Sequence, residues 1–337
     1  MNLTRCIKRM MIAVCGLLII SGCGDKKSPT ESKNSAPTAS FVVLPVMGSL
    51  ETDFQADASK SNDGEDPGSA LQVRWDWEND GVWDTDYQAT KSASHRYTTL
   101  GAKTIKLEVK DSGDLLTTAV NTIIVAEMGT LADVDGNSYK TIKIGNQWWM
   151  AENLKTTHYR NGDAVPQVTD NAGWIALNTG AYCNYENDAS NAAIYGHLYN
   201  WYAATDVRKL APLGWHVPTD AEWKTLETTL GMSPADIEGT WGRGDGIGGK
   251  LKETGATHWA GPNEGATNAS GFTALPAGSR RNTDGAFADK GINALFWCSS
   301  EMNATSAWTR GLAYNDALVY RLNVVYTAGN SIRCIKD

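Results

Sequence analysis

Alternating apolar and polar side chains dominate residues 38–126, the pattern of strands that bury one face. Residues 104–111 alternate almost without interruption, and the shorter stretches 39–43 and 73–77 do the same. Clusters rich in Gly, Asp, Asn and Ser separate these stretches, as turns separate short strands. The pattern predicts a small all-β sandwich over residues 38–126.

A second pattern begins after the Asp-Gly turn at Asp135-Gly136. Residues 139–144 resemble a strand, and Trp148-Trp149 follows between apolar neighbours. A buried aromatic side chain removes about 150–250 Å² of surface from water. We therefore expect one of these two tryptophans in the core of a C-terminal domain.

Two helices are predicted in the C-terminal half. The sequence 219–222 is a capping box, an apolar stripe follows it, and Gly231 ends the helix. Residues 190–203 carry apolar and aromatic side chains on two sides, which predicts a helix that is covered on much of its circumference. Both helices are interpreted as structural.

Residues 239–291 contain thirteen glycines in fifty-three residues and show no clear periodicity. A stretch this long inside a compact domain is typically functional or disordered. Aromatic rings can stack on sugars, and Asp, Asn and Arg can bind hydroxyl groups, although such aromatics can equally fill a loop-rich core. The candidate ligand-binding residues in and after this segment are Trp241, Trp259, Arg281, Asp284, Trp308, Arg310, Tyr314 and Asn315.

The N-terminus has the features of an export signal. Three cations precede the apolar run 10–20, which is too short for a good membrane span. The run ends in Ile20-Ser21-Gly22-Cys23, which resembles a bacterial lipobox. We predict a lipoprotein signal peptide at 1–22, lipidation of Cys23, a flexible tether at 23–37, and location at the bacterial outer membrane, surface-exposed.

Charge argues against nucleic acid as a partner. The formal net charge is −8, and removal of residues 1–22, with three cations and no anions, brings it to −11. Binding to phosphates requires clustered Lys and Arg, which the remaining chain lacks.

The cysteine count allows one disulfide. Cys6 and Cys15 leave with the signal peptide, so Cys183, Cys298 and Cys334 remain beside Cys23. Outside the cytoplasm one pair could oxidise and leave one thiol over.

One acidic loop could hold a metal. Asp76, Glu78 and Asp80 precede Gly81 and are followed by Asp84, a spacing typical of calcium loops. Tyr87 at the twelfth position excludes an EF-hand, and a turn that satisfies its own backbone is the alternative. Calcium is therefore a possible cofactor, and no other is indicated.

Several blocks together resemble known families. The stretches 144–154, 180–185, 195–202, 214–219 and 331–336 make residues 129–337 similar to the Fibrobacter succinogenes major paralogous domain of bacterial lipoproteins. Trp75-Asp76-Trp77, His95-Arg96-Tyr97 and 101–111 make residues 36–126 resemble an immunoglobulin-like PKD domain.

These resemblances imply an architecture. The N-terminal domain would be an immunoglobulin-like sandwich of PKD type. The C-terminal domain would be α+β, with C-type-lectin-like architecture, long loops and a ligand face at the irregular segment. The family usually has cysteines at the positions of Cys183 and Cys334, which implies a disulfide between them.

Three functions remain open. The first is a non-catalytic adhesion module at the cell surface that binds a glycan or another protein. The second is a structural spacer of the envelope. The third, an enzyme similar to the sulfatase-modifying factors, is disfavoured because the close cysteine pair of those oxidases is absent and the five histidines lack metal-ligand spacing.

Overall fold

The computed structural model describes residues 33–337. The predicted signal peptide, Cys23 and the first part of the tether lie outside the described residues. Within 33–337, no helix combines the length and the apolar character that crossing a bilayer requires.

The N-terminal domain is a sandwich of two sheets, as the alternation predicted. One sheet has the order β1–β3–β5 and the other the order β2–β7–β6–β4. Its strands are β1 (Val42–Leu44), β2 (Met47–Gly48), β3 (Phe54–Asp57), β4 (Gln72–Asp76), β5 (Ser92–His95), β6 (Gly101–Lys110) and β7 (Leu116–Val125).

The strand period explains the core of this sandwich. Ile105, Leu107 and Val109 on β6 are fully buried, whereas Lys106 and Lys110 between and beyond them are half-buried. Side chains alternate between the two faces of a strand, so one face of β6 meets the opposite sheet. Trp75 completes this core, and its ring stacks on that of Trp77 with centroids 5.4 Å apart.

The C-terminal domain is mostly β-structure with short helices. One sheet has the order β13–β20–β10–β9–β8 and another the order β14–β19–β18–β17, beside the two-stranded sheets β11–β12 and β15–β16. The elements are β8 (Met128–Ala132), β9 (Ser138–Ile144), β10 (Gln147–Met150), α1 (Asn171–Ile175), β11 (Tyr182–Cys183), a 3₁₀ turn (Tyr185–Asn187), α2 (Ala189–Tyr195), β12 (Leu198–Tyr199), α3 (Trp201–Ala204), β13 (Trp215–His216), α4 (Asp220–Thr229), β14 (Trp241–Arg243), α5 (Ile247–Leu251), β15 (Ser279–Arg280), β16 (Phe287–Ala288), β17 (Asn293–Asn303), β18 (Ser306–Ala313), β19 (Val319–Val325) and β20 (Ile335–Lys336).

Two apolar cores flank the sheets of this domain. Phe296 and Cys298 of β17 lie in one core, and Trp297 between them lies in the other. Trp149 and Met150 divide between the two cores in the same way. Trp149 is fully buried and Trp148 is half-buried, so the prediction of one core tryptophan is confirmed.

One of the two predicted helices forms. Helix α4 has the predicted capping box, with the Thr219 side chain accepting from the Glu222 amide. The continuous helix over 190–203 is wrong, because α2 ends at Gly196, whose φ is +73°. Strand β12 then separates α2 from α3.

The predicted Cys183–Cys334 disulfide does not form. Cys183, Cys298 and Cys334 are all buried free thiols. Each lies in a different apolar cluster, with Cys183 beside Trp174 and Cys334 beside Met150.

A two-residue connection joins the domains. Strand β7 ends at Val125 and β8 begins at Met128. Between them, Glu127 accepts from the Lys143 amide at 2.9 Å and pairs with the Lys143 ammonium at 2.8 Å. Met47 of the sandwich packs against the C-terminal core.

Candidate functional site

The sheet β14–β19–β18–β17 brings predicted site residues to one face. Trp241 of β14 lies opposite Arg321 of β19, which lies opposite Arg310 of β18. Trp308 lies opposite Asn323 two residues further along. Since residues i and i+2 share a face of a strand, these side chains project from the face on which α4 packs.

Buried ion pairs fix this face against α4. Glu227 is fully buried and accepts from Arg310 Nε at 2.5 Å and from Arg243 Nη2 at 2.7 Å. Asp220 accepts from Arg321 at 2.9 and 2.8 Å and pairs with Arg310 at 2.9 Å. Charges this deeply buried are tolerated only when paired, so the network fixes the position of β18 and β19.

The charge state of Asp220 follows from its neighbours. Burial alone would raise the pKa of this carboxyl group, but hydrogen bonds from Arg321 and the charge of Arg310 hold it well below its usual range. Asp220 therefore stays ionised and keeps both guanidinium groups in place.

Trp241 stands out at the edge of this sheet. It is 71% exposed and its φ is +65°, in the left-handed region that bulky residues rarely adopt. Holding a tryptophan there costs about 1–3 kcal/mol. Strain of this kind in an exposed aromatic residue motivates a functional interpretation, because folding alone gains little from either property.

Trp308 and Arg321 lie next to Trp241 in the sheet, closer to its centre. The Arg321 guanidinium lies 3.8 Å from the centroid of the half-buried Trp308 ring. Arg321 also donates to the Glu238 carbonyl at 3.1 Å, and the Glu238 carboxylate pairs with Lys224 at 2.6 Å. We call the group Trp241, Trp308, Arg321, Asn323 and Glu238 the Trp241 surface.

The chemistry of the Trp241 surface is that of a contact site. One ring is open to solvent, and the exposed Asn323 and Glu238 offer hydrogen-bond donors and acceptors nearby. An exposed ring can stack on the apolar face of a sugar or enter a protein interface. Within residues 33–337, no group of three or more His, Cys, Asp or Glu side chains is arranged to hold a metal.

The remaining predicted ligand contacts are dispersed. Trp259 and Arg310 are each 1% exposed, so the prediction that they contact a ligand is wrong. Trp259 instead packs in the core and donates to the Ala274 carbonyl at 3.0 Å. The glycine-rich segment is thus only partly packed inside the domain, since eighteen of its fifty-three residues are buried and eighteen are exposed.

Four other predicted residues lie away from Trp241 in the contact network. Arg281 and Asp284 are exposed and pair with each other at 2.6 Å. Tyr314 packs against the edge of the core and its carbonyl accepts from the Glu264 amide at 2.8 Å, while Asn315 is exposed. In the described chain, no hydrogen bond, ion pair or cation–π contact joins these four to the Trp241 surface.

The acidic loop of the sandwich satisfies its own backbone. Asp76 accepts from the amides of Asp80 and Gly81 at 3.1 and 3.0 Å, and Asp84 accepts from the Trp77 amide at 2.7 Å. Glu78 instead faces His95 at 3.6 Å. The predicted calcium site of Asp76, Glu78, Asp80 and Asp84 is therefore corrected to a self-bonded turn, the alternative interpretation.

Sequence reasoning missed Arg321 and Asn323. The signal was present, because residues 319–325 alternate in burial as a strand does, and a turn near 315–316 pairs them with Trp308 and Arg310. Recognising the surface required the register of this hairpin, which the periodicity alone does not supply.

A cavity of about 490 Å³ lies between the loop 204–217 and the last residue of the chain. Most of its charged side chains are already paired, although Lys209 also lines it. Asp206 binds Arg208, His216 binds Asp337, and Arg160 donates to backbone carbonyls. We therefore assign no ligand to this cavity.

Comparison with known families decides the identity of the C-terminal domain. The model of the Fibrobacter succinogenes major domain matches residues 142–336, more than half of the chain. The chain belongs to this family. The match begins thirteen residues after the start predicted at Gly129, and it places the Trp241 surface inside the major domain.

PKD domains are among the structures similar to this chain. The PKD1 domain of Vibrio anguillarum Epp is 26% identical, covering 28% of this chain and 96% of its own, with a TM-score of 0.22. The PKD1 domain of the Vibrio cholerae metalloprotease PrtV is 23% identical, covering 27% and 98%, with a TM-score of 0.22.

A further similar structure comes from work on the promiscuous specificity of carbohydrate-binding modules of the β-sandwich superfamily. It is 18% identical and covers 36% of this chain and 57% of its own, with a TM-score of 0.25. No curated protein matches the chain. TM-scores this low do not support an argument about the fold. The description of the N-terminal domain as a sandwich therefore rests on its two observed sheets.

Proposed function

We propose that this protein is a surface-anchored lipoprotein whose major domain binds a glycan through the Trp241 surface. The observation that carries the proposal is Trp241, a 71% exposed tryptophan held at a φ of +65° on the edge of a sheet. A strained and solvated ring is costly to the fold, and contact with a ligand is what would favour it.

A rigid base supports the proposed site. The ion pairs of Asp220 and Glu227 hold β18 and β19 against α4, so the Trp241 surface is largely preformed. A preformed surface loses little conformational entropy when it binds. Glu238 and Asn323 at its rim are suited to hydroxyl groups, and one open ring is suited to the apolar face of a pyranose.

The sandwich is proposed as a spacer between membrane and major domain. Asn34 donates to Asp111 at 2.9 Å, at the turn between β6 and β7. The chain leaves the sandwich at the other end of this hairpin, where Gly101 pairs with Val125. Ten residues at about 3.3 Å each separate these ends by roughly 33 Å, so a lipid on Cys23 would hold the major domain away from the membrane.

A C-type-lectin-like architecture remains part of the proposal. The pairing of β10 with β20 brings the beginning and the end of the major domain into one sheet. Long loops then leave this sheet and return to it, as that plan requires.

Affinity electrophoresis tests the binding function. The purified chain is run through gels that contain single plant or bacterial polysaccharides, such as xylan, mannan, pectin or a mixed-linkage glucan. We expect at least one polysaccharide to retard the protein, and Trp241→Ala to weaken binding at least about tenfold, a loss of ~1.4 kcal/mol.

Val120→Ala is the matched control, because Val120 is also exposed, at 58%, but lies on the sandwich. It should bind as the unmodified protein does. Retention by none of the polysaccharides, together with a protein partner lost on Trp241→Ala, would replace the glycan by a protein ligand.

The anchor has its own test. The unmodified chain should incorporate labelled palmitate and sediment with outer membranes, whereas Cys23→Ser should do neither. Membrane association that survives Cys23→Ser would contradict the lipoprotein proposal.

A further inference from the structure

A cavity of about 420 Å³ with a mostly polar lining opens in the major domain, beside the Asp-Gly turn that follows β8. Asp135, Asn137, Lys155, Thr157 and His197 line it. Ala192 and Ala193 of α2 form an apolar wall. The volume lies in the range of about 300–1,000 Å³ that is typical of small-molecule sites.

Asp135 is held rigidly at the rim of this cavity. One carboxylate oxygen accepts from the Thr157 amide at 2.5 Å and from the Thr156 and Thr157 hydroxyls at 3.0 Å each. The other oxygen faces His158 Nδ1 at 2.5 Å. Burial raises the pKa of Asp135, but these hydrogen bonds outweigh it and lower the pKa overall, so the group is ionised.

His197 is placed by a glycine that no other residue could replace without strain. Gly196 has a φ of +73°, and a Cβ there would lie 2.7 Å from the Leu154 carbonyl oxygen and 2.8 Å from Asn153 Cβ. The His197 ring, 8% exposed, packs against Tyr182 with centroids 4.5 Å apart. Burial lowers the pKa of His197 to about 4, so the ring is neutral at pH 7.

The His197 ring lacks a hydrogen bond that its burial calls for. In the part of the chain that the structure describes, no protein group bonds its Nδ1, although the atom is buried. Buried polar atoms are almost always paired, so an unpaired one next to a cavity indicates a partner supplied from outside.

The charges around the cavity select the class of ligand. Asp135 disfavours an anion and Lys155 disfavours a cation, so a molecule without net charge fits best. The carboxylate only accepts hydrogen bonds and the ammonium only donates them, whereas amide, hydroxyl and imidazole groups can do both. A ligand with several hydroxyl groups matches such a mixed set.

We infer that this cavity binds a neutral polyhydroxylated small molecule of monosaccharide size, held by Asp135, Lys155 and His197. The site is separate from the Trp241 surface and does not depend on the proposed function. Trp241→Ala should therefore leave it unchanged, and each proposal can fail without the other.

NMR of the full chain carrying ¹³C-labelled histidine tests the inference. The probes are glucose, galactose, mannose, xylose and arabinose, each titrated into the millimolar range, and His197→Gln assigns the His197 signal by its loss. At least one sugar should shift this signal with saturation.

Ala193→Trp provides the blocking variant, because Ala193 is exposed and lines the cavity. We expect it to weaken binding at least about tenfold, and Ala235→Trp, on an exposed turn elsewhere, to have no effect. Lys155→Met, which removes a donor at a half-buried position, should weaken binding by a similar factor.

Three results would overturn the inference. They are the absence of any His197 shift with all five sugars, a shift that Ala193→Trp leaves unchanged, and a shift produced by galacturonate or glucosamine but by no neutral sugar.

Discussion

The two domains differ in how they pair their buried backbone polar groups. In the sandwich, β6 and β7 pair over ten consecutive residues, and their backbone groups satisfy one another. The major domain has long irregular segments, and many of their carbonyl groups lie outside any strand ladder. Buried backbone polar groups must be paired, so this domain needs another source of donors.

Cations that are buried or, in the case of Arg160, half-buried supply those donors. Arginine carries five N–H donors and lysine three, so one side chain can bind several carbonyls at once. Lys252 donates to the carbonyls of Glu264, Ala313 and Asp316; Arg280 to those of Gly285, Val168 and Thr169; Arg333 to those of Phe272 and Thr273; and Arg160 to those of Ala211, Pro212 and Trp215.

Aromatic rings cover several of these cations. The Arg280 guanidinium lies 4.5 Å from the Trp174 ring and 4.9 Å from the Phe287 ring. Ring faces attract cations and exclude water, which strengthens the hydrogen bonds beneath them. A loop-rich domain can therefore be ordered by a few cations that bind its carbonyl groups, whereas the sandwich is ordered by hydrogen bonds between strands.

The largest expected effect follows from breaking the ion network. Glu227→Gln leaves Arg243 and Arg310 buried without their shared charge, and we expect a loss of about 3–5 kcal/mol in the major domain. Glu108→Gln in the sandwich, where the Glu108 side chain is 11% exposed and that of its partner Arg74 is 25% exposed, should cost less, about 1 kcal/mol. Native-state hydrogen exchange, read separately in each domain, measures both. Equal losses in the two domains would contradict the contrast between them.

Lys252→Met tests the binding of carbonyls directly. Lys252 is fully buried, and the substitution removes the donor from three carbonyls. We expect a loss of about 3 kcal/mol, since each buried group left unpaired costs about 1–3 kcal/mol. Lys250→Met, two residues away, removes one donor to the Leu230 carbonyl and should cost about 1 kcal/mol. Urea unfolding compares them, and a smaller loss for Lys252→Met would refute the role of this lysine.

The same contrast explains what could be predicted from the sequence. Strand β6, the hairpin of β18 and β19, and α4 follow from local periodicity, turn residues and a capping box. The break at Gly196 was missed because apolar residues on either side of it continue a helical pattern. The arrangement of 239–291 depends on bonds such as Lys252 to Asp316, sixty-four residues apart, which no local pattern encodes.

For the candidate site, the sequence predicted which types of residue would form it but not which individual residues are exposed. Trp241 and Trp259 both lie in the glycine-rich segment, and nothing in the local sequence separates the exposed ring from the buried one. Their difference arises because Trp241 lies on an edge strand, whereas Trp259 packs into the apolar core. The cavity at His197 was missed because residues from three separate stretches of the chain form it.

Two histidines of the major domain should give it opposite responses to pH. The pKa of His197 is lowered by burial from its ordinary 6.5 to about 4, so its neutral form stabilises the fold above pH 6.5. That contribution is lost as the pH falls from 6.5 towards 4, by about 3 kcal/mol. Unfolding measured against pH should show this loss in the unmodified chain and not in His197→Gln. A parallel pH profile for the two proteins would contradict it.

His216 should act in the other direction. Although burial lowers the pKa of His216, its hydrogen bonds to Asp337 and Glu222 raise it overall. The contribution of this histidine is therefore full below pH 6.5 and lost as the pH rises through its folded pKa. His216→Gln should remove the decline on the alkaline side, and a decline that persists in the variant would assign it to another group.

The smallest expected effect tests whether the backbone strain at Trp241 lowers the stability of the major domain. Asparagine tolerates a positive φ better than tryptophan does, so Trp241→Asn should stabilise the major domain by about 1 kcal/mol while polysaccharide binding is lost. Val120→Asn, which replaces an exposed residue of the extended strand β7, relieves no strain and should not stabilise the sandwich. Urea unfolding of the two variants measures both changes. If Trp241→Asn destabilises the domain, the ring contributes to packing, and its exposure is not a feature that binding explains.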